Sequence, residues 1–295
     1  MATLKIKSSG IIDNILAISS FLQQHEIHWS LITKVFSGDV EFMKQILKPE
    51  VIENIHSIGD SRLTSLKNIK KVNPSIRTIY IKPPAKIYAK EIVEFADVSL
   101  NTSIHTLKAL DKAAKEQQKI HKVIIMIELG ELREGVLGNK IIDFYRAVFA
   151  LKNVETIGLG ANLGCMYGVE PTYDKLMQLE LYGKLIEATF DKKLALFSGG
   201  SSITLPLLEE NNIPKSINHF RIGEAAFFGT SPLRNQQFLN LSTDNFRLSA
   251  NLIEIEEKRI IPQGEISEAS IGDTKDYDES HYGKRFIGPF LILEC

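Results

Sequence analysis

Residues 122–163 read KVIIMIELGELREGVLGNKIIDFYRAVFALKNVETIGLGANL, and their reading decides the fold. The stretch opens on a β-branched apolar run, Lys122–Leu129, and closes on a second, Thr156–Leu163. Between them, in Asn139–Leu151, Ile141, Ile142, Tyr145, Val148 and Phe149 recur at helical spacing. Strand, helix and strand in this order form a parallel pair with a helical crossover. The same alternation runs outward in both directions. Strands are expected at Trp29–Lys34, Thr78–Lys82, Val98–Asn101, Leu194–Gly200 and His219–Ala225. A helix is expected at Ser103–Gln118, where Ile104, Leu107, Leu110 and Ala114 share a face and Asn101 and Thr102 offer caps. A weaker strand near Ile52–His56 is needed to reach eight, and a helix around Ile11–Gln24 precedes the first strand. Eight units close a (β/α)8 barrel and fewer leave an open sheet, a choice that periodicity alone does not make. No G-x-G-x-x-G follows the first strand, which argues against a dinucleotide fold.

The texture changes after Pro232. Asn251–Ile261 is β-rich, Phe286–Glu294 is apolar, and Pro262–Tyr282 between them is rich in Gly, Ser, Asp and Glu. The expected organisation is an α/β chain, with a TIM-type barrel over residues 1–232 and a short β-rich appendage over 233–295. Of 295 residues, 44% are hydrophobic and 24% charged, ample for a globular core. Lys plus Arg is 35 against 36 Asp plus Glu, with no basic stripe, so no nucleic-acid partner is expected. Cys165 and Cys295 make no disulfide framework and fit a reducing cytoplasm. The histidines and cysteines show no metal-ligand spacing, so no metal is expected. Lys5 and Lys7 precede an apolar stretch, but Asp13 and Asn14 break it, and no window reaches the roughly 18 apolar residues of a membrane span.

In a barrel the chemistry sits at the C-terminal strand ends. The first strand ends in Ile32-Thr33-Lys34-Val35-Phe36. A partly buried lysine there has a lowered pKa and can form a Schiff base; the plainer reading is a solvated strand-end lysine. The seventh ends in Ser198-Gly199-Gly200-Ser201-Ser202 ahead of a helix, which is a phosphate cradle or a flexible turn. The eighth runs His219-Phe220-Arg221-Ile222-Gly223, a second glycine turn with an inward-facing arginine. Two adjacent glycine-bearing strand ends favour phosphate binding. After the fifth strand, in Glu128–Gly135, Arg133 either clamps a carboxylate or pairs with Glu131 or Glu134. In Gly158–Cys165 the small residues leave room for a flat ring or pack tightly. Most of His56, His105, His121, His219 and His281 read as surface or satisfied core residues, and Ser201 and Ser202 lack a serine-hydrolase elbow.

These motifs together resemble the alanine racemase-like, fold-type III pyridoxal-phosphate (PLP) barrels, and within them the ornithine racemase branch. The stretches that carry the likeness are Ile32–Gly38, Asp60-Ser61-Arg62, Glu128–Gly135, Gly160–Cys165, Ser198–Leu208 and Ile217–Ala225, in order over most of residues 1–260. The resemblance implies PLP as cofactor and Lys34 as the lysine that holds it and serves as one acid/base at the substrate Cα. It implies that Ser202, in its Ser201-Ser202 turn, and the backbone at Gly223 contact the phosphate. It places Arg221 against the pyridine nitrogen, Asn162 where alanine racemases carry a ring-facing histidine, and Arg133 near the second base or substrate carboxylate. An arginine only donates, so the ring nitrogen stays unprotonated, which suits proton exchange and argues against a decarboxylase.

In alanine racemases the second base is a tyrosine from the partner's C-terminal β-domain. The matching stretch, Pro262–Ala269, has no tyrosine, and Tyr277 and Tyr282 lie further on in an apparently shortened tail. The implied activity is racemisation of a small-molecule amino acid such as ornithine by a homodimer. The alternative is a PLP homeostasis or carrier protein on the same barrel.

Overall fold

The computed structural model describes residues 2–251 and the short segments 256–259, 263–265, 267 and 284–287. Tyr277, Tyr282 and half of Pro262–Ala269 lie outside the described residues. Backbone contacts divide the chain into two compact units, residues 7–245 and residues 1–6 with 246–295. In the smaller unit, strand Ala2–Ile6 pairs antiparallel with Phe246–Ala250, and Glu256–Arg259 pairs with Lys284–Ile287.

The larger unit is a (β/α)8 barrel. Its strands are β1 (His28–Ile32), β2 (Ser57–Asp60), β3 (Thr78–Tyr80), β4 (Val98–Asn101), β5 (His121–Met126), β6 (Val154–Gly160), β7 (Leu196–Ser198, resuming as Gly200–Ser201) and β8 (His219–Ile222). Each pairs parallel with the next. Leu196–Ser198 pairs with β6 and Gly200–Ser201 with β8, so the break at Gly199 lets one strand serve both neighbours. β8 then pairs with β1, His219 opposite His28 and Ile222 opposite Leu31, and the ring closes.

Strand register sorts the side chains into an inner and an outer set. Ile79, Val98, Leu100, Ile124, Met126 and Leu196 form one buried apolar cluster. The adjacent strands β3, β4 and β5 supply all of it but Leu196, which comes from the non-adjacent β7, so the cluster reaches across the barrel interior. On the opposite wall the register aligns Arg221 with Ser30 and Ser30 with Ser57. The interior is therefore oil on the β3–β7 side and hydrogen-bonding on the β7–β8–β1–β2 side. Outside, helix α1 (Ser8–Gln24) buries the stripe Ile11, Ile15, Ile18 and Leu22, as its spacing requires.

Several expected boundaries move. The strand sought near Ile52–His56 is β2; Ile52 instead ends the helical turn Pro49–Ile52, which proline at its first position favours. β5 ends at Met126, where the chain turns into the loop that carries Arg133, and β3 ends at Tyr80. β8 stops at Ile222, because Gly223 opens the helix Glu224–Phe228. The cap of helix Ile104–Glu116 is Ser103, whose Oγ accepts from the Thr106 N–H, in place of Asn101 or Thr102. Asn101 belongs to β4 and is fully buried.

Candidate active site

The β8 strand end organises the site. Arg221 is 8% exposed, and burial pulls its guanidinium down to about 10, with Glu134 raising it and Arg133 lowering it. It stays charged near neutrality. Nη1 donates to the Ser198 carbonyl (2.8 Å) and to Ser198 Oγ. Nη2 donates to the Ala161 carbonyl (2.7 Å) and to Asn162 Oδ1 (2.8 Å). Four of the five guanidinium N–H groups are spent on β6 and β7, and Nε–H has no partner among the described residues. Such a group is fixed in its plane and offers one free donor.

Asn162 is oriented from its other end, because Nδ2 donates to Glu134 Oε1. Glu134 Oε2 also holds Arg133 Nε at 2.7 Å, and Arg133 Nη1 donates to Cys165 Sγ at 2.7 Å. Arg133, read from sequence as a carboxylate clamp or one half of an ion pair, thus stands paired with Glu134. Its exposed side chain keeps a face toward solvent. Glu131 has a different task. Its buried carboxylate accepts the N–H groups of Cys165 (2.9 Å), Tyr167 (2.7 Å), Gly168 (3.2 Å) and Val169 (3.1 Å), tying the loop after β6 to the loop after β5. Burial alone would raise this carboxyl; the four donors outweigh it and hold it below the usual carboxylate range.

On the other side of Arg221, Ser201 lies opposite it in register, and Ser202 Oγ accepts the Ala225 N–H at 3.2 Å. This joins the β7 and β8 turns. Gly223 backs onto the end of β1: a Cβ there would lie 3.1 Å from the Ile32 carbonyl oxygen. Lys34 follows two residues on, in the turn Lys34–Phe36, and is exposed at the mouth, as the plainer of its two readings has it and not the partly buried one. Arg62 Nη1 steadies that turn through the Lys34 carbonyl (3.2 Å) and Ser37 Oγ (2.9 Å). The barrel thus brings Ser201, Ser202, Gly223, Arg221, Asn162 and Arg133 into one run around its mouth, with Lys34 in the turn that follows the adjoining strand.

Of the two readings of Gly158–Cys165, tight packing holds at Gly158, where any Cβ would run into the Leu196 carbonyl oxygen. At the opposite end a cleft of about 450 Å³ is lined by Lys70, Arg77, Asp97, His121 and Lys122. Its charges have partners, Lys70–Asp97 at 2.7 Å within the cleft and Arg77–His56 and Lys122–Glu155 beside it, and none of the strand-end residues above lines it. No group of three or more His, Cys, Asp or Glu able to hold a metal occurs among the described residues, and no helix among them is long and apolar enough to cross a membrane. Sequence reasoning offered Glu131 and Glu134 only as ion-pair partners of Arg133, Ser198 only as part of a glycine turn and His219 only as a surface or core residue; it missed the loop-anchoring carboxylate of Glu131, the Glu134–Asn162 contact and the Ser198 contacts to Arg221 and His219.

A family model described as the alanine racemase N-terminal domain matches residues 51–232. The chain belongs to that family. Over 276 residues it is 30% identical to the ornithine racemase of Acetoanaerobium sticklandii, covering 93% of this chain and 76% of that protein. Over 256 residues it is 29% identical to the lysine racemase of Thermotoga maritima, covering 87% and 70%. The solved structure of PipY from Synechococcus elongatus with PLP bound superposes with a TM-score of 0.61 at 15% identity. It covers 74% of this chain and 99% of that one, a likeness of fold.

Proposed function

We propose that this chain is a PLP-dependent amino-acid racemase acting on a basic amino acid such as ornithine. The observation that carries the reading is the buried, tethered Arg221 guanidinium with its Nε–H left over, set between the Ser201–Ser202 turn and Gly223. That set fits the cofactor: a single obligate donor suits an unprotonated pyridine nitrogen, and the two glycine-bearing turns suit a phosphate. When bound, the cofactor makes the Cα–H of a joined amino acid acidic.

The chain's own residues do the rest. Lys34 Nζ anchors the cofactor and exchanges a proton at one face of Cα. Ser202 Oγ and the Gly223 backbone hold the phosphate. Asn162, fixed by Glu134, keeps Arg221 in plane and borders the ring. Arg133 Nη groups meet the substrate carboxylate. The basic substrate is suggested by the two relatives, whose names give ornithine and lysine. A homodimer is supported by Ile87, Tyr88, Leu132, Met166 and Tyr167, large apolar side chains exposed on the mouth loops. A second reading, cofactor binding without racemisation, is favoured by all seven candidate residues lying within residues 7–245.

Cα deuterium exchange read by NMR separates these. The PLP-loaded protein in heavy water is offered L-ornithine, lysine, arginine, alanine and serine one at a time. Exchange with loss of optical rotation establishes the racemase and names the substrate. Exchange with rotation retained means that only Lys34 works. A PLP-loaded protein with no exchange moves the assignment to the second reading.

A further inference from the structure

Below Arg221 a hydrogen-bond relay descends the polar wall of the barrel. Ser198 Oγ accepts a hydrogen bond from Arg221 Nη1, which leaves its own proton to be donated to another acceptor. His219 Nδ1 stands 2.7 Å away. With Ser198 as the donor in that contact the ring proton sits on Nε2, which faces Ser30 Oγ at 3.0 Å, and Ser30 in turn meets Ser57 Oγ at 2.6 Å. His219 has no exposed surface, and the ring of His56 packs edge-on against it with centroids 5.4 Å apart. It lies on β8 two residues before Arg221, on the same face, one layer deeper.

The geometry points to His219 as a positioning residue for Arg221: its unprotonated Nδ1 fixes the Ser198 hydroxyl, which fixes the guanidinium that faces the cofactor nitrogen. The inference rests on the proposed function. An imidazolium would have no lone pair for Ser198 and would set a second cation beside Arg221. Burial, then the nearby His56, Arg221 and His28, hold His219 well below its ordinary pKa, so the required neutral form is present near neutrality. The acceptor at Nδ1 is the feature that matters, and it separates two variants of similar size. His219→Asn presents its amide oxygen near the Nδ1 position and keeps the Ser198 contact. His219→Gln presents its amide near the Nε2 position and keeps the Ser30 contact.

The test uses the apo chain and two probes, pyridoxine 5′-phosphate and inorganic phosphate, by titration calorimetry. Pyridoxine 5′-phosphate has the ring nitrogen and the phosphate but no aldehyde, so Lys34 chemistry does not enter. His219→Gln is expected to weaken its binding on the order of 10-fold, the equivalent of one hydrogen bond to a charged group, and His219→Asn by no more than about 3-fold. Phosphate affinity should be the same in all three proteins, and thermal melts should show all three folded. Equal losses for Asn and Gln would reduce His219 to a core filler and overturn the inference. So would no loss for Gln, or a matching loss for phosphate. A wild-type chain that binds phosphate but gains nothing from the pyridine ring would remove the cofactor reading itself, an outcome distinct from any difference among variants.

Discussion

Glu131→Gln probes the joint between the β5 and β6 loops. In the native chain Oε1 accepts three N–H groups and Oε2 accepts a fourth, from Val169. Glutamine keeps one oxygen for the three, without charge, and turns an NH2 toward Val169. The loss combines the weakening of charge-assisted bonds with one opposed donor pair, about 3 kcal/mol together. For a domain of this size that is a fall in Tm of roughly 6–9 °C. The pH dependence supplies an internal control. Glu131's folded pKa lies below its unfolded value, so its stabilisation is fully present above the unfolded carboxylate pKa and is lost as pH falls through the folded one. Wild type should therefore lose its advantage over the variant below about pH 4.5. Calorimetric melts from pH 7 to pH 4 measure both effects. A variant within about 1 °C of wild type at pH 7, or a gap that widens on acidification, would refute the anchoring role.

Four further outcomes are expected. His121 is buried, its Nε2 lies 2.8 Å from Ser99 Oγ, and burial lowers it to about 4; its unfolded state binds the proton first, so stability should drop by up to about 3 kcal/mol between pH 6.5 and pH 4, and His121→Gln should flatten that limb in urea titrations. Gly158→Ala drives a methyl into the Leu196 carbonyl and should cost about 1–3 kcal/mol or prevent folding, read from the urea midpoint. Lys34→Ala should keep the fold by circular dichroism yet lose the cofactor label that borohydride fixes on the Lys34 peptide of wild type; retained label elsewhere removes Lys34 as anchor. Arg221→Glu should raise pyridoxamine 5′-phosphate formation from added amino acid, because a carboxylate lets the ring nitrogen hold a proton, and unchanged formation would withdraw Arg221 from that position.

Much of the barrel was legible because most of its strands carry several large apolar residues and its helices are apolar on one face. The exception, β2, has a single large apolar residue, Ile58; Ser57 and Gly59 lie beside Ser30 and Ile32 of the adjacent β1, and a Cβ on Gly59 would run into the Ile32 side chain. Hydropathy has nothing to detect there. The candidate site was legible where motifs end strands. It was not legible where a residue acts on a distant loop: nothing local to Glu131 announces four amides that lie more than thirty residues downstream. His219 was within reach. If Arg221 faces inward, strict alternation along His219-Phe220-Arg221 turns His219 inward as well, and a buried histidine beside an arginine needs an acceptor role.

The closing ladder has a consequence for how this chain matures. Neighbouring strands elsewhere in the barrel are close in sequence, but β8 meets β1 across some 190 residues, His219 against His28. Ladders of such separation form late, because the chain between them must already be ordered. Lys34 follows one of these strands and Gly223 the other, so the mouth has no complete site until that last join is made. A small molecule gripping both acts as a clasp on the finished ring. It rewards only the closed form, by RT ln(1 + [L]/Kd), and so ties the chain's survival in the cell to the supply of that molecule.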